Sequence, residues 1–201
     1  AVTYTDLAAA ISEAKDGDTI RLVKDFTLDA PETGISSGQG AVNITKDITL
    51  DGNGKTITAG EHYVLNSGDT RGEYHVINVM DGANVIIRDL TIDGSLNGTL
   101  TNVTSAPRSG INVFTANGSE NDPTTVTLEN VEVKNCSTYG VTSLGSNLTV
   151  NGLTTSGNLW GGINLDNSTS SADGGTFTMT AGNVGEENSC LLYTSPSPRD
   201  S

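Results

Sequence analysis

Three aspartates in this chain could hold a metal ion if the fold brings them together. Asp29, Asp51 and Asp93 each end a copy of one phrase: Lys24-Asp25-Phe26-Thr27-Leu28-Asp29, Lys46-Asp47-Ile48-Thr49-Leu50-Asp51 and Arg88-Asp89-Leu90-Thr91-Ile92-Asp93. Stacked copies would set the carboxylates about 5 Å apart, where two like charges repel by roughly 1 kcal/mol even in water. Such a column invites a divalent cation, and all-oxygen ligands point to Ca2+, with Asp51 and Asp93 as the candidate ligands. The competing reading is turn chemistry, because Asp and Gly both suit bends and Asp51-Gly52 and Asp93-Gly94 are such pairs.

The same copies carry Lys24-Asp25, Lys46-Asp47 and Arg88-Asp89. A polysaccharide lyase needs a base to take the proton beside a sugar carboxylate, and Arg88 is placed to be asked. Neighbouring carboxylates would hold its guanidinium charged, the wrong state for a base. A ladder of exposed ion pairs that keeps strands in register fits better, each pair adding at most about 1 kcal/mol. Glu129 and Glu132 lie close in sequence, but inverting hydrolysis needs two carboxyl groups across a cleft and no partner is evident. His62 and His75 stand alone, with no Cys or His at metal-binding spacing.

Asn78, Asn112 and Asn164 recur between apolar neighbours and so read as facing away from the core. They would form either a stacked amide ladder or a polar strip for sugar hydroxyls. Trp160, the only tryptophan, precedes Gly161-Gly162, and Tyr139 holds the matching place before Gly140. An exposed indole presents a flat apolar face that suits a pyranose ring, although a lone aromatic can equally cap a core. The candidate ligand-binding residues are therefore Trp160, Tyr139, Asn112 and Asn164. Sequons at Asn43, Asn102 and Asn147 carry little information in a chain so rich in Asn and Thr.

These residues need elements to position them. The 201 residues suffice for one domain. Acidic residues number 24 against 10 basic, for a formal net charge of −14. That balance disfavours nucleic acid and anionic membrane surfaces as partners and suits a solvated extracellular surface. Aromatics are only 4 %, which favours thin strands and many turns. No apolar run is long enough to span a membrane. The chain opens at Ala1 without a signal peptide, so it reads as beginning inside a longer product or after processing.

Residues 190–201 depart from the Asn/Gly/Thr style before them. Cys190 to Asp200 resembles, codon for codon, the translation of a transposase adapter used in short-read sequencing. The segment is expected to be a non-native tail without a regular conformation, which leaves Cys136 as the one natural cysteine and excludes a disulfide framework.

Residues Thr5 to Lys15 predict the one helix. Leu7, Ala10, Ile11 and Ala14 make an apolar stripe, Thr5 can cap its start, and Asp16-Gly17-Asp18 supplies the stop. Beyond it, apolar and polar residues alternate as in strands. Asp25, Asp47, Asp89, Asn130 and Gly152 align as equivalent points, with Phe177–Thr180 as a looser sixth copy. A second column aligns His75–Val79, Gly110–Val113, Gly140–Ser143 and Gly162–Leu165. Twenty-two residues, the shortest step, is too long for a hairpin and too short for a strand-helix-strand unit. It suits one coil of about three short strands, stacked in parallel on the next at roughly 4.8 Å. Longer steps read as coils with insertions at Gly60–Tyr74, Gly94–Ser109 and Thr115–Thr124. An antiparallel jelly roll is the alternative architecture, but it has no reason to repeat side chains column by column.

At Leu7–Ile20, Ile48–Ile57 and Asn84–Ile92 the chain resembles the opening of a pectate-lyase-like (pectin lyase-like) right-handed parallel β-helix. The likeness extends from Thr3 to about Val184 and is nearest in style to bacterial surface adhesins. It implies an all-β solenoid with one N-terminal capping α-helix: a capping segment over 1–18, coils over 19–189 that end incomplete, and the tail. That superfamily includes polysaccharide lyases, glycoside hydrolases, phage tailspikes and large surface adhesins, so the fold alone does not give the function. The Trp-Ile-Asp-His segment of the pectate lyases is absent, as are the Asn-Thr-Asp, Asp-Asp and Gly-His-Gly signatures of the polygalacturonase-like hydrolases. The expectation is a structural or adhesive fragment of a large extracellular bacterial protein, contacting polysaccharide or cell-surface glycan. Two alternatives stay open: a lyase or hydrolase of acidic polysaccharide whose catalytic coils lie elsewhere, and a tailspike-like trimer.

Overall fold

The computed structural model describes residues 6–29, 40–60, 75–95, 107–116, 119, 121–167, 175–186 and 192–194. Thr5, His62, Asn102, Cys190 and the greater part of the three insertions and of the tail lie outside these residues.

Helix α1 spans Leu7–Glu13. Asp6 is its N-cap, its carboxylate accepting from the Ala8 N–H at 2.8 Å; Thr5, the cap expected from the sequence, lies outside the described residues. The expected stripe holds, with Leu7, Ala10, Ile11 and Ala14 all buried. The helix stops before Gly17, which takes φ of 85°. Lys46 closes its C-terminal end, donating from Nζ to the carbonyls of Ser12 at 2.6 Å and Ala14 at 2.7 Å. A cation there also meets the negative end of the helix dipole.

All strand pairings are parallel. One sheet holds β1 (Thr19–Arg21), β2 (Phe26–Leu28), β4 (Thr49–Ala59), β6 (Asn84–Asp93), β8 (Thr125–Lys134), β10 (Asn147–Ser156) and β12 (Phe177–Glu186). The other holds β3 (Gly40–Ile44), β5 (His75–Val79), β7 (Ser109–Phe114), β9 (Tyr139–Leu144), β11 (Gly161–Asp166) and β13 (Leu192–Thr194). From β2 onward the chain alternates between the sheets, each later coil giving one strand to each, while the first coil gives β1 and β2 to the first sheet. This is the parallel β-helix expected from the repeats, with α1 packed on β3 at its N-terminal end.

The long strands of the first sheet bend in the middle. Asp89, Asn130 and Gly152 fall on one register column there, with φ of 50°, 53° and 118°. Asp, Asn and Gly are the residues that tolerate this left-handed conformation, which is why they recur at that point. Each long strand thus works as two short ones, which gives the expected three per coil.

The core is a set of columns. Ile20, Leu50, Ile87, Leu128 and Val150 are successive register partners, and the last four are completely buried. Burying each such side chain stabilises the fold by about 1.5–3 kcal/mol. A second column runs Phe26, Ile57, Ile92, Val133, Thr155. Gly110 lies hard against it: a Cβ there would meet Val133 Cγ1 at 2.3 Å.

The register corrects part of the sequence alignment. The steps Asp89 to Asn130 to Gly152 hold, as does the whole second column. Asp25 and Asp47 do not join them. Thr19 pairs with Thr49 and Phe26 with Ile57, while Thr49 pairs with Ile86. The copies at Lys24 and Lys46 therefore occupy different halves of the same sheet rather than the same place in successive coils. Both halves impose the same local demand: an Asp before an alternating strand accepts an N–H from the next coil. Asp25 accepts from Thr56 at 2.9 Å and Asp47 from Asn84 at 2.8 Å.

The insertions fall on connections, as expected, between β4 and β5, β6 and β7, and β7 and β8. In the tail, Leu192–Thr194 stands as a three-residue strand on β11, pairing Asn164 with Tyr193. An open parallel edge offers unpaired backbone groups to whatever chain follows.

Candidate functional site

Asp29, Asp51 and Asp93 do not share a column. Asp51 pairs in register with Arg21 on one side and Arg88 on the other. Its buried carboxylate takes Arg88 at 3.1 Å and Arg21 at 3.9 Å, and its Oδ1 accepts the Asn53 N–H at 2.9 Å. Asp93 pairs with Thr58 and Lys134, and its Oδ1 accepts from the Ser95 N–H and Asn135 Nδ2, both at 2.9 Å. Asp29 lies beside Gly60. Among the described residues no three His, Cys, Asp or Glu side chains gather as a metal site. The calcium column expected from the copies fails because the copies are not stacked.

A mixed-charge ladder does exist, with other members. Arg21, Asp51, Arg88 and Glu129 alternate in sign on successive strands, and Arg21 also donates to Asn53 Oδ1. Of the expected ladder residues, Lys46 is on the helix carbonyls and Lys24 lies over the Phe26 ring at 5.1 Å. Only Arg88 joins, through Asp51 rather than Asp89.

The asparagines are a stacked ladder. Asn78 Nδ2 donates to Asn43 Oδ1 at 3.0 Å, and Asn112 Nδ2 to Asn78 Oδ1 at 2.8 Å. Asn43, an added member, was visible in sequence only as a sequon. Thr142 occupies the next place and Asn164 the one after. Asn112 is 1 % exposed and Asn164 9 %, so neither forms part of an open polar strip.

Two buried reactive groups are held in inert states. The His75 imidazole is lowered to about 3, by burial first and then by the Arg108 charge. The Cys136 thiol, fully buried, is pushed far up by burial and by Asp93, against a smaller opposing effect of the Gly110 backbone. At neutral pH the imidazole is uncharged and a weak base, and the thiol stays protonated rather than becoming a thiolate.

One aromatic surface remains. Trp160 is 52 % exposed while Tyr139 is buried, and the rings meet edge to face with centroids 5.9 Å apart at 86°. Tyr139 pairs with Gly161, so Trp160 aligns with Thr138, one place from the position expected. The Trp160 N–H donates to the Thr138 carbonyl at 2.7 Å, and the Thr138 N–H to the Arg108 carbonyl at 3.0 Å. Asn158 braces the same turn, accepting from the Cys136 N–H at 3.0 Å and donating to the Val133 carbonyl at 3.2 Å. The indole thus stands on a backbone stack tied across three coils. The connection holding it is four residues long, between β10 and β11, whereas the same corner of the second and third coils carries fifteen-residue insertions, 60–74 and 94–108. In repeat folds, insertions at one corner usually mark the face that meets a partner.

The described residues thus form a parallel β-helix that carries one braced, half-exposed indole at a corner. Residues 1–160 match the family described as "Putative pectate lyase-like adhesive domain", and the chain belongs to that family. Searches of curated proteins and of solved structures returned no match.

Proposed function

We propose that the chain is an adhesive β-helix of a large bacterial surface protein, acting outside the cell and contacting polysaccharide or cell-surface glycan through Trp160. The observation that carries this reading is the indole itself, half-exposed on a rigid corner with the buried Tyr139 ring beneath it. Aromatic faces of this kind stack on the apolar faces of sugar rings without needing charge. A ladder of parallel coils suits the role mechanically, because adjacent strands are joined by hydrogen bonds along the axis. Membership of the adhesive family supports the same reading.

The test is retention of the chain on immobilised polysaccharides, pectin and alginate among them, beside Trp160→Ala. Retention lost in the variant is expected. Release of unsaturated or reducing-end product above background would replace the adhesive reading with an enzymatic one.

A further inference from the structure

Where α1 packs on β3 the two elements do not fill the space between them. A groove of about 380 Å³ opens there, and every residue lining it is among those described. That volume falls within the ~300–1,000 Å³ of small-molecule sites. Its floor is apolar and closed, formed by the buried Ile11, Val42 and Ile44. Its rim is polar, with Ser12 on the helix and Asn43, Thr45 and Lys46 on β3 and the turn after it.

These rim groups have donors to spare. The Lys46 ammonium carries three N–H groups and gives two of them to the Ser12 and Ala14 carbonyls. Asn43 Oδ1 accepts from the Gly40 N–H and from Asn78 Nδ2, both at 3.0 Å, and its Nδ2 donates to the Gly40 carbonyl at 3.2 Å. One Asn43 amide hydrogen is left over. The hydroxyls of Ser12 and Thr45 have no hydrogen-bond partner among the described residues.

The charge of the groove runs against that of the chain. The formal net charge is −14, yet no Asp or Glu lines the groove and Lys46 does. Asp47, next in sequence, is engaged by the Asn84 N–H of the following coil. The asparagine ladder works in the same sense. Asn112 donates to Asn78 and Asn78 to Asn43, so three aligned amide dipoles put their positive end at Asn43. One ammonium with no guanidinium fork beside it matches a single negative charge.

We propose that the groove between α1 and β3 binds a small hydroxylated monocarboxylate, its carboxylate on Lys46 and Asn43 and its hydroxyls on Ser12 and Thr45. The groove is four strands along the sheet from β11, whose corner holds Trp160. At the spacing of paired strands that is roughly 19 Å, so the site stands or falls independently of the indole.

The test is a titration of the isotope-labelled chain with D-gluconate, followed by backbone amide NMR. Saturable shifts centred on Ser12, Asn43 and Thr45 are expected. Sorbitol, which has a hydroxymethyl group in place of the carboxylate, should bind at least about tenfold more weakly. Ala8→Leu, at an exposed helix position that lines the groove, should abolish the shifts by filling it. Lys46→Met should remove the preference for gluconate over sorbitol, and Ser12→Leu gives a second reading should Lys46→Met fail to fold. Val23→Ser, at an exposed residue outside the groove, should change nothing. No saturable shift would overturn the proposal. So would equal affinity for sorbitol, tighter binding of inorganic phosphate, or gluconate binding that survives Ala8→Leu.

Discussion

Asn112 donates its amide to Asn78 Oδ1 at 2.8 Å, and its own Oδ1, buried, has no hydrogen-bond partner among the described residues. The next place in the column belongs to Thr142. That hydroxyl bonds sideways to Ser109 Oγ at 2.8 Å instead of continuing the stack. Asn164, one coil further, is left with an unpartnered Oδ1 of its own. The ladder is thus interrupted by one residue, at a cost that a single substitution can measure.

Thr142→Asn should stabilise the fold. The new amide would donate to Asn112 and accept from Asn164, two bonds for the one lost to Ser109. A net buried hydrogen bond is worth about 1 kcal/mol, which for a chain of this size raises Tm by roughly 2–4 °C. Thermal unfolding followed by circular dichroism reads it. An unchanged or lowered Tm would show that the break at Thr142 is not what limits this column.

The Arg88–Asp51 pair should couple. Asp51 is buried against two guanidinium groups and also accepts a backbone N–H. Asp51→Ala removes the acceptor of the Asn53 N–H and of two guanidinium groups that solvent can still reach, so it should cost about 1–2 kcal/mol. Arg88 is more exposed, so solvent screens the pair and the interaction itself is smaller. A double-mutant cycle with Arg88→Gln in urea should return a coupling of about 0.5–1 kcal/mol. A coupling of zero would leave Asp51 as a backbone cap only.

Acid should weaken the fold through His75. Its imidazole is held at about 3 in the folded chain against 6.5 as a free group. The unfolded chain therefore binds the extra proton first. The stability from this group is complete above pH 6.5 and is lost progressively as pH falls toward 3, at about 1.4 kcal/mol per pH unit. Urea midpoints between pH 5 and 6.5, above the range where most carboxylates titrate, should fall for the parent and stay level for His75→Gln. Equal slopes would mean that the imidazole is not held neutral by burial.

Much of the fold could be read directly. Alternation and recurrence gave the parallel ladder, and the apolar stripe at Leu7, Ala10, Ile11 and Ala14 gave the capping helix. The column through Asp89, Asn130 and Gly152 was legible because only such residues tolerate the bend. The phrase shared by Lys24 and Lys46 misled because each coil makes the same demand twice: an Asp that accepts the next coil's N–H, then an alternating strand. Similar words therefore mark two places within a coil as readily as one place in two coils. The calcium column fell with that misreading, and the pairing of Asp51 with Arg21 and Arg88 was hidden by it. Trp160 was legible from its singularity. Its one-place offset from Tyr139 was legible too, since aligning Gly140 with Gly162 sets Tyr139 opposite Gly161.

The central claim, that Trp160 is the glycan contact, is tested most directly by the fluorescence of the single tryptophan. Titrating the chain with soluble polysaccharide should give a saturable change in intensity or emission wavelength. Tyr139→Ala, which removes the ring beneath the indole, should weaken the response severalfold. A saturable shift that matches retention on the immobilised polymer is the predicted result. Retention of the chain with an indole spectrum that never changes would contradict the account.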